Sequence, residues 1–234
     1  MSAMTTSSTT ASSGDRAGTP VTTAARFVER LRELGDDLEQ VPMRDIFALA
    51  KSSLEMPLPE IERLLEHPAH RVRVGAVSIM DFLARRKRTP EAVKRDLFAL
   101  YLRRHDRIDN WDLVDRCAPS VIGDALADAP RDVLYRLARS EVVWERRTAI
   151  VATYAFIRRG DLDDTFAIAE LLVDDEEHLI HTAVGGWIRE AGKQDPGRLL
   201  AFLDRHAASM PRIALRFAVE KLDQPTRDRY LERR

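Results

Sequence analysis

Apolar side chains along this chain recur at steps of three and four. Over 70–87 they fall at Val72, Ala76, Ile79 and Leu83; in the next segment they fall at Val93, Leu97 and Leu100, with Phe98 and Tyr101 beside them. Such spacing lays an apolar stripe down one side of a helix. The same period returns from about residue 24 onward, and no stretch alternates steadily at two, so the pattern predicts helices and no strands. Proline and cap-type residues punctuate it. Thr89-Pro90, Asp195-Pro196, Ser209-Met210-Pro211 and Asp223-Gln224-Pro225 each place a capping side chain and a proline at or near a helix start. Gly160 followed by Asp161 predicts the end of one helix and the cap of the next.

About a dozen helices of roughly 8 to 18 residues, joined by short connections, result from this reading. A recurrence at roughly 35 to 45 residues predicts stacked antiparallel helix pairs of the HEAT or armadillo kind, with an irregular helical bundle as the alternative. Residues 1–22 differ in kind. They hold eleven serines or threonines and almost no large apolar side chain, too little to offset the entropy of ordering, and predict a disordered tail. They lack the apolar core of a secretory signal, and the single Arg16 does not make a transit peptide. The expected organisation is a tail over 1–22 and one domain over 23–234.

Composition narrows the function classes. A chain of 234 residues can bury a substantial core, and with 32% charged residues and no apolar run near the length of about 18 needed to cross a bilayer, a spanning helix is excluded. The one cysteine, Cys117, excludes an intrachain disulfide and a cysteine-based zinc cluster; it fits a reducing, cytoplasmic setting and reads as a small buried hydrophobe. The formal charge of −1 argues on average against a strongly basic nucleic-acid binder, but the distribution is uneven. Residues 85–107 hold nine bases and three acids, 160–178 eight acids and no base, and 198–234 nine bases and five acids. Segregated charge can present one basic face to a polyanion. The plainer reading is that helix surfaces are charged and the clustering is chance.

Four clusters are candidates for chemistry. In Asp109-Asn110-Trp111-Asp112-Leu113-Val114-Asp115, Trp111 and Asp115 lie one helical turn apart on one face. A carboxylate beside an indole can steady a developing cation, whereas spacing alone favours a core tryptophan with a solvated aspartate. In Trp144-Glu145-Arg146-Arg147-Thr148-Ala149-Ile150, the paired arginines can fork onto phosphates or form interhelix ion pairs. In Ala183-Val184-Gly185-Gly186-Trp187-Ile188-Arg189-Glu190, two glycines inside a helical pattern imply close approach by a ligand or by a neighbouring helix. His178 and His181 are three apart, but no carboxylate partner pattern surrounds them, so no metal is expected. No phosphate-cradling glycine loop or nucleophile elbow is present, and no cofactor is expected.

Taken in order, Asn110 to Asp115, Trp144 to Val151, Ala183 to Gly192, and Met210-Pro211-Arg212-Ile213-Ala214-Leu215-Arg216 resemble the DNA alkylation repair enzyme family of the AlkD type, over roughly residues 24 to 230. The resemblance implies a curved solenoid of HEAT-like antiparallel helix pairs whose concave basic face holds duplex DNA. It also implies a monofunctional glycosylase that releases cationic N3- and N7-alkylated purines without flipping the base. Asp115 falls on the family's catalytic aspartate, and Trp111 on the first of two aromatic residues flanking the deoxyribose. Arg147 falls on the phosphate-contacting arginine, with Arg146 as its substitute. Aligned on Arg189-Glu190, the second tryptophan's place holds Gly186. Trp187 then sits one residue later, turned by about 100° around the helix.

The expected function is therefore a DNA glycosylase, with Asp115 and Trp111 catalytic and Arg147, Arg146, Trp187 and Arg189 on the DNA. It is expected to act as a monomer on duplex DNA carrying alkylated bases, away from membranes. A duplex-binding protein that excises little, and a solenoid that binds other proteins, are the alternatives.

Overall fold

The computed structural model describes residues 20–232, so the predicted tail lies outside the described residues except for Pro20 to Thr22. There Val21 is already buried against the core, so the folded region begins ahead of the expected boundary. The described residues are helical, with fourteen α-helical segments and no strand. They are α1 (Ala24–Leu34), α2 (Met43–Ser52), α3 (Leu58–Glu66), α4 (His70–Arg85), α5 (Glu91–Arg103), α6 (Trp111–Cys117) and α7 (Asp132–Leu137). After them come α8 (Val143–Ala152), α9 (Tyr154–Ile157), α10 (Asp163–Leu172), α11 (His178–Gly192), α12 (Pro196–His206), α13 (Arg212–Val219) and α14 (Gln224–Leu231).

The predicted punctuation holds at some positions and fails at others. Asp195 and Asp223 accept hydrogen bonds from the amides of Arg198 and Thr226, each at 3.0 Å, and cap α12 and α14. At α5 and α13 the N-cap is the proline itself, Pro90 or Pro211, and neither Thr89 nor Ser209 caps. Gly160 has a φ of 78°, which a side chain would strain. Asp161 does not cap α10, whose N-cap is Leu162; its carboxylate instead pairs with Arg131 at 2.7 Å.

Several segments are shorter than the apolar period suggested, and each break has a local cause. Thr153 returns its hydroxyl to the Ile150 carbonyl at 2.7 Å, and the helix breaks there into α8 and α9. Pro119 has no N–H to give the Asp115 carbonyl four residues back. Over Ala118–Gly123 the ladder widens to a π-helical turn, in which the Asp124 amide reaches the Pro119 carbonyl.

Helices α4, α6, α8, α11 and α13 begin at His70, Trp111, Val143, His178 and Arg212, a repeat of 32 to 41 residues. Each packs on the next, while α3, α5, α7, α10, α12 and α14 pack on their neighbours in this row. Successive helix pairs thus share a single apolar core running from Val21 to Tyr230, a solenoid-like arrangement.

The two glycines of α11 do different things. A Cβ on Gly185 would stand 2.3 Å from the Ala214 carbonyl oxygen and 2.8 Å from Phe217 Cβ, so this glycine lets α13 cross closely. A Cβ on Gly186 would meet nothing within 4 Å. Gly185→Ala therefore lowers stability by about 1–3 kcal/mol through overpacking, whereas Gly186→Ala raises it by roughly 0.8–1.0 kcal/mol through helix propensity. Thermal unfolding of the two variants checks this: the midpoint drops for the first and rises by about 2–4 °C for the second.

Helix pairing also rearranges the charge. In the acidic run 160–178, Asp163 pairs with Arg198 at 2.6 Å, Asp175 with Arg146 at 2.6 Å, Asp164 with Arg131, and Glu170 with Arg205, while Asp174, Glu176 and Glu177 are exposed. In the basic run, Arg103 and Arg104 tie α5 to Glu62 and Glu66 of α3, and Arg107 donates to the carbonyls of Leu65 and Glu66. Part of the charge that is segregated along the chain is thus neutralised between helices.

Beneath α8 lies a buried polar cluster. The Thr148 hydroxyl meets the Tyr101 hydroxyl at 2.8 Å and His105 Nε2 at 2.9 Å. Burial pushes the Tyr101 phenol well above its ordinary value and holds His105 below the usual histidine range. Below about pH 6.5 the unfolded chain takes up a proton at His105 that the folded chain resists, so stability falls as pH falls from neutrality toward the lowered folded value. Thermal midpoints between about pH 7.5 and about pH 5.5 show this decline, and it is shallower in His105→Gln, which retains a group able to bond Thr148.

Candidate functional site

Helix α6 starts at Trp111 and carries Asp115 one turn on, while Leu113, Val114 and Cys117 turn the opposite way into the core. Cys117 is buried, its thiol lies 3.5 Å from the Leu113 carbonyl, and burial pushes its pKa well up. Two contacts from α4 pin the entry to α6: His70 to Asp112 at 2.8 Å and Arg73 to Asp109 at 2.9 Å. Trp111 is 52% exposed. It is not a core tryptophan, which spacing alone had favoured.

Trp111 and Asp115 open into a cleft of 550 Å³ lined by residues of α2, α4, α6, the π-turn, α9 and α11. Met43, Phe47 and Val74 form one apolar wall, and Tyr154 and Trp187 the other, with ring centroids 5.0 Å apart. The register shift at Gly186 therefore does not remove Trp187 from the site. Tyr154 opens α9 just past Thr153, and α11 presents Trp187 beside it.

Asp115 is gripped by Arg147. Its two carboxylate oxygens accept from Nε and one terminal nitrogen of the guanidinium at 2.9 and 2.7 Å, and the other terminal nitrogen donates to the Leu179 carbonyl at 2.6 Å. The Arg147 side chain is 8% exposed and that of Asp115 34%. A buried, forked cation thus holds a partly open carboxylate in one orientation. Each carboxylate oxygen keeps a further lone pair free to accept. Arg147 bonds through all three nitrogens with three of its five N–H donors, and its 8% exposure, rather than a lack of donors, keeps it from an external phosphate.

Arg146 turns away from the cleft. It makes a two-point pair with Asp175 at 2.6 and 3.2 Å and donates to the Ser140 and Glu141 carbonyls, both at 2.9 Å. It braces the loop before α8, and substitution for Arg147 at a phosphate finds no support in this placement. Arg189 binds Glu220 at the end of α13 and does not line the cleft. Trp144 packs on the core. His178 and His181 stand with ring centroids 6.4 Å apart, His181 bonded to the Asp175 carbonyl.

Residues that sequence reasoning did not single out complete the cleft. The Arg116 guanidinium lies between the rings of Phe47 and Phe82, 4.6 and 4.7 Å from their centroids, and reaches Ser78 at 3.2 Å and Asp81 at 3.1 Å. Asp81 is buried and also accepts from the Ser120 hydroxyl at 2.8 Å. Arg85 and Arg158 stand at the rim. The lining therefore holds three arginines and three aspartates, a mixed rather than uniformly basic surface. The hints in the sequence were the place of Arg85 at the head of the basic run 85–107 and the adjacency of Arg116 to Asp115.

The comparisons with known proteins agree with this frame. No curated protein matches the chain. Among solved structures, a protein titled a predicted DNA alkylation repair enzyme from Enterococcus faecalis superimposes with a TM-score of 0.59 at 17% identity, covering 88% of this chain and all of that one, a likeness of fold. A family model described as DNA alkylation repair enzyme matches residues 24–222. That span contains the cleft and every residue lining it, and the chain belongs to the family of DNA alkylation repair enzymes, with the role in DNA repair that membership carries.

Proposed function

We propose that the protein is a DNA glycosylase that releases cationic N3- and N7-alkylated purines from duplex DNA, acting as a monomer and leaving the base in the stack. The observation that carries this reading is the Asp115 carboxylate, clamped at two points by buried Arg147 and directed into an open cleft between Trp111 and Trp187. A purine alkylated at N3 or N7 is already positively charged and departs as a neutral base, so it needs little general-acid help. What the reaction needs is stabilisation of the positive charge that grows on the deoxyribose as the N-glycosidic bond stretches.

Asp115 supplies a fixed negative charge for that purpose and has free lone pairs to orient the attacking water. Trp111 and Trp187 offer flat apolar faces to the sugar. An open groove, rather than a closed base-sized chamber, suits an enzyme that grips backbone and sugar at the duplex surface. Within this reading Arg147 acts through Asp115 as a positioning residue.

The test is release of N7-methylguanine from duplex DNA, native chain against Asp115→Asn. Release above the spontaneous rate that depends on Asp115 supports the glycosylase. Salt-sensitive duplex binding with no release supports a non-catalytic DNA-binding member of the family. Neither binding nor release leaves a solenoid for protein partners.

A further inference from the structure

We propose that Arg85 and Arg158 are the phosphate-binding pair of the cleft, gripping the DNA backbone beside the sugar that faces Asp115; the proposal rests on the duplex-DNA reading above. A backbone lying in this cleft must have its phosphates met by cations that can reach them. Arg147 is buried against Asp115 and Leu179, Arg146 is held by Asp175, Ser140 and Glu141, and neither lines the cleft. Arg116 is wedged between two phenylalanine rings and tied to Ser78 and Asp81. Two arginines of the lining remain.

Both are placed to exchange partners. Arg85, the last residue of α4, is 59% exposed, and its nearest carboxylate oxygen, on Asp81, is 3.6 Å away. When Arg85 leaves, that carboxylate keeps its ion pair with Arg116 at 3.1 Å and the Ser120 hydrogen bond at 2.8 Å, so its charge stays paired. Arg158 is 43% exposed and pairs with Asp124 at 2.8 Å, a solvent-facing pair of the kind that contributes little and opens readily. Its guanidinium lies 5.4 Å from the Tyr154 ring centroid, which aims it along the aromatic wall.

The path does not stop at the site. A second cleft of 560 Å³ shares Arg85 and Ser120 with the first and continues past Arg95, Lys94 paired with Glu91, and Arg159 paired with Asp128. Arg85 therefore stands where a strand leaving the site would pass from one groove into the other. The ligand class is a phosphodiester backbone, and base identity plays no role in these contacts.

The experiment measures binding of lesion-free duplex DNA across a range of salt concentrations, for the native chain, Arg85→Gln with Arg158→Gln, the corresponding double lysine variant, and Arg205→Gln. Arg205 pairs with Glu170 on α10, outside both clefts, and controls for the loss of a positive charge elsewhere on the surface. Each lost phosphate contact removes about 0.9 from the slope of log affinity against log salt. The double glutamine variant is expected to lose about 1.8 and to weaken binding about tenfold or more at low salt. The double lysine variant retains the slope, because a point charge still meets a phosphate, and Arg205→Gln retains it as well. A native slope in the double glutamine variant overturns the proposal, and so does an equal loss in Arg205→Gln. Native protein that binds no duplex overturns both this proposal and the reading beneath it. A slope that depends on Arg85 and Arg158, with no base release, supports the pair and removes only the glycosylase.

Discussion

Asp115→Asn slows release of N7-methylguanine from duplex DNA by about 10²–10³-fold, the scale of losing one preorganised electrostatic group at a reacting centre. Asparagine has nearly the same shape as aspartate, so the cleft keeps its outline. What changes is the charge opposite the developing sugar cation, and an amide NH₂ now competes with the guanidinium N–H groups of Arg147. That mismatch leaves a buried cation poorly paired and costs about 1–3 kcal/mol of stability. Single-turnover release is therefore read together with the fraction folded. Affinity for undamaged duplex is expected to stay within a few-fold of native, since Asp115 is not a phosphate contact. A variant that is folded, binds duplex and releases the base at the native rate would remove Asp115 from the chemistry.

Removing the clamp gives the second large effect. Arg147→Gln is expected to slow release by about 10-fold to 10²-fold, because it loses the forked pair that fixes the carboxylate and leaves the Leu179 carbonyl short of a donor. The informative measurement is the cycle with Asp115→Asn. If Arg147 works by orienting Asp115, Arg147→Gln costs little further once the carboxylate has gone, and the double variant resembles Asp115→Asn alone. If Arg147 makes an independent phosphate contact, the two losses multiply and duplex affinity falls with a shallower salt slope. The burial of Arg147 and its three bonds to Asp115 and Leu179 favour the first outcome.

Some of this was legible in the chain. Trp111 and Asp115 are one turn apart, and a shared face follows from helical geometry whatever the rest of the fold does. The apolar stripe of α4 over Val72, Ala76, Ile79 and Leu83 is buried as the period implied. The roles of the arginines were not legible. Arg146 and Arg147 are neighbours, yet one faces Asp175 and the other Asp115, because successive helical residues point about 100° apart and each meets a different helix. Gly185 and Gly186 read alike in the sequence, but only the first lies against the α13 backbone. Aligning the sequence on Arg189-Glu190 put Gly186 in the second tryptophan's place and turned Trp187 by about 100°; the cleft nevertheless includes Trp187, packed beside Tyr154.

By itself, then, the sequence determined the helical character of the chain, some of its breaks, the repeat of helix pairs and the pairing of Trp111 with Asp115 on one face. These rest on local terms: a 3.6-residue period, capping chemistry, and proline's missing N–H. Only the tertiary structure decided which charges cancel, which arginine holds the carboxylate, and which two remain at the rim for an external anion. Those outcomes depend on how α4, α6, α8 and α11 stack and on the kinks at Pro119 and Thr153. A small rotation of any one helix exchanges the partners of every long side chain on it, and the spacing of residues along the chain carries no record of that rotation.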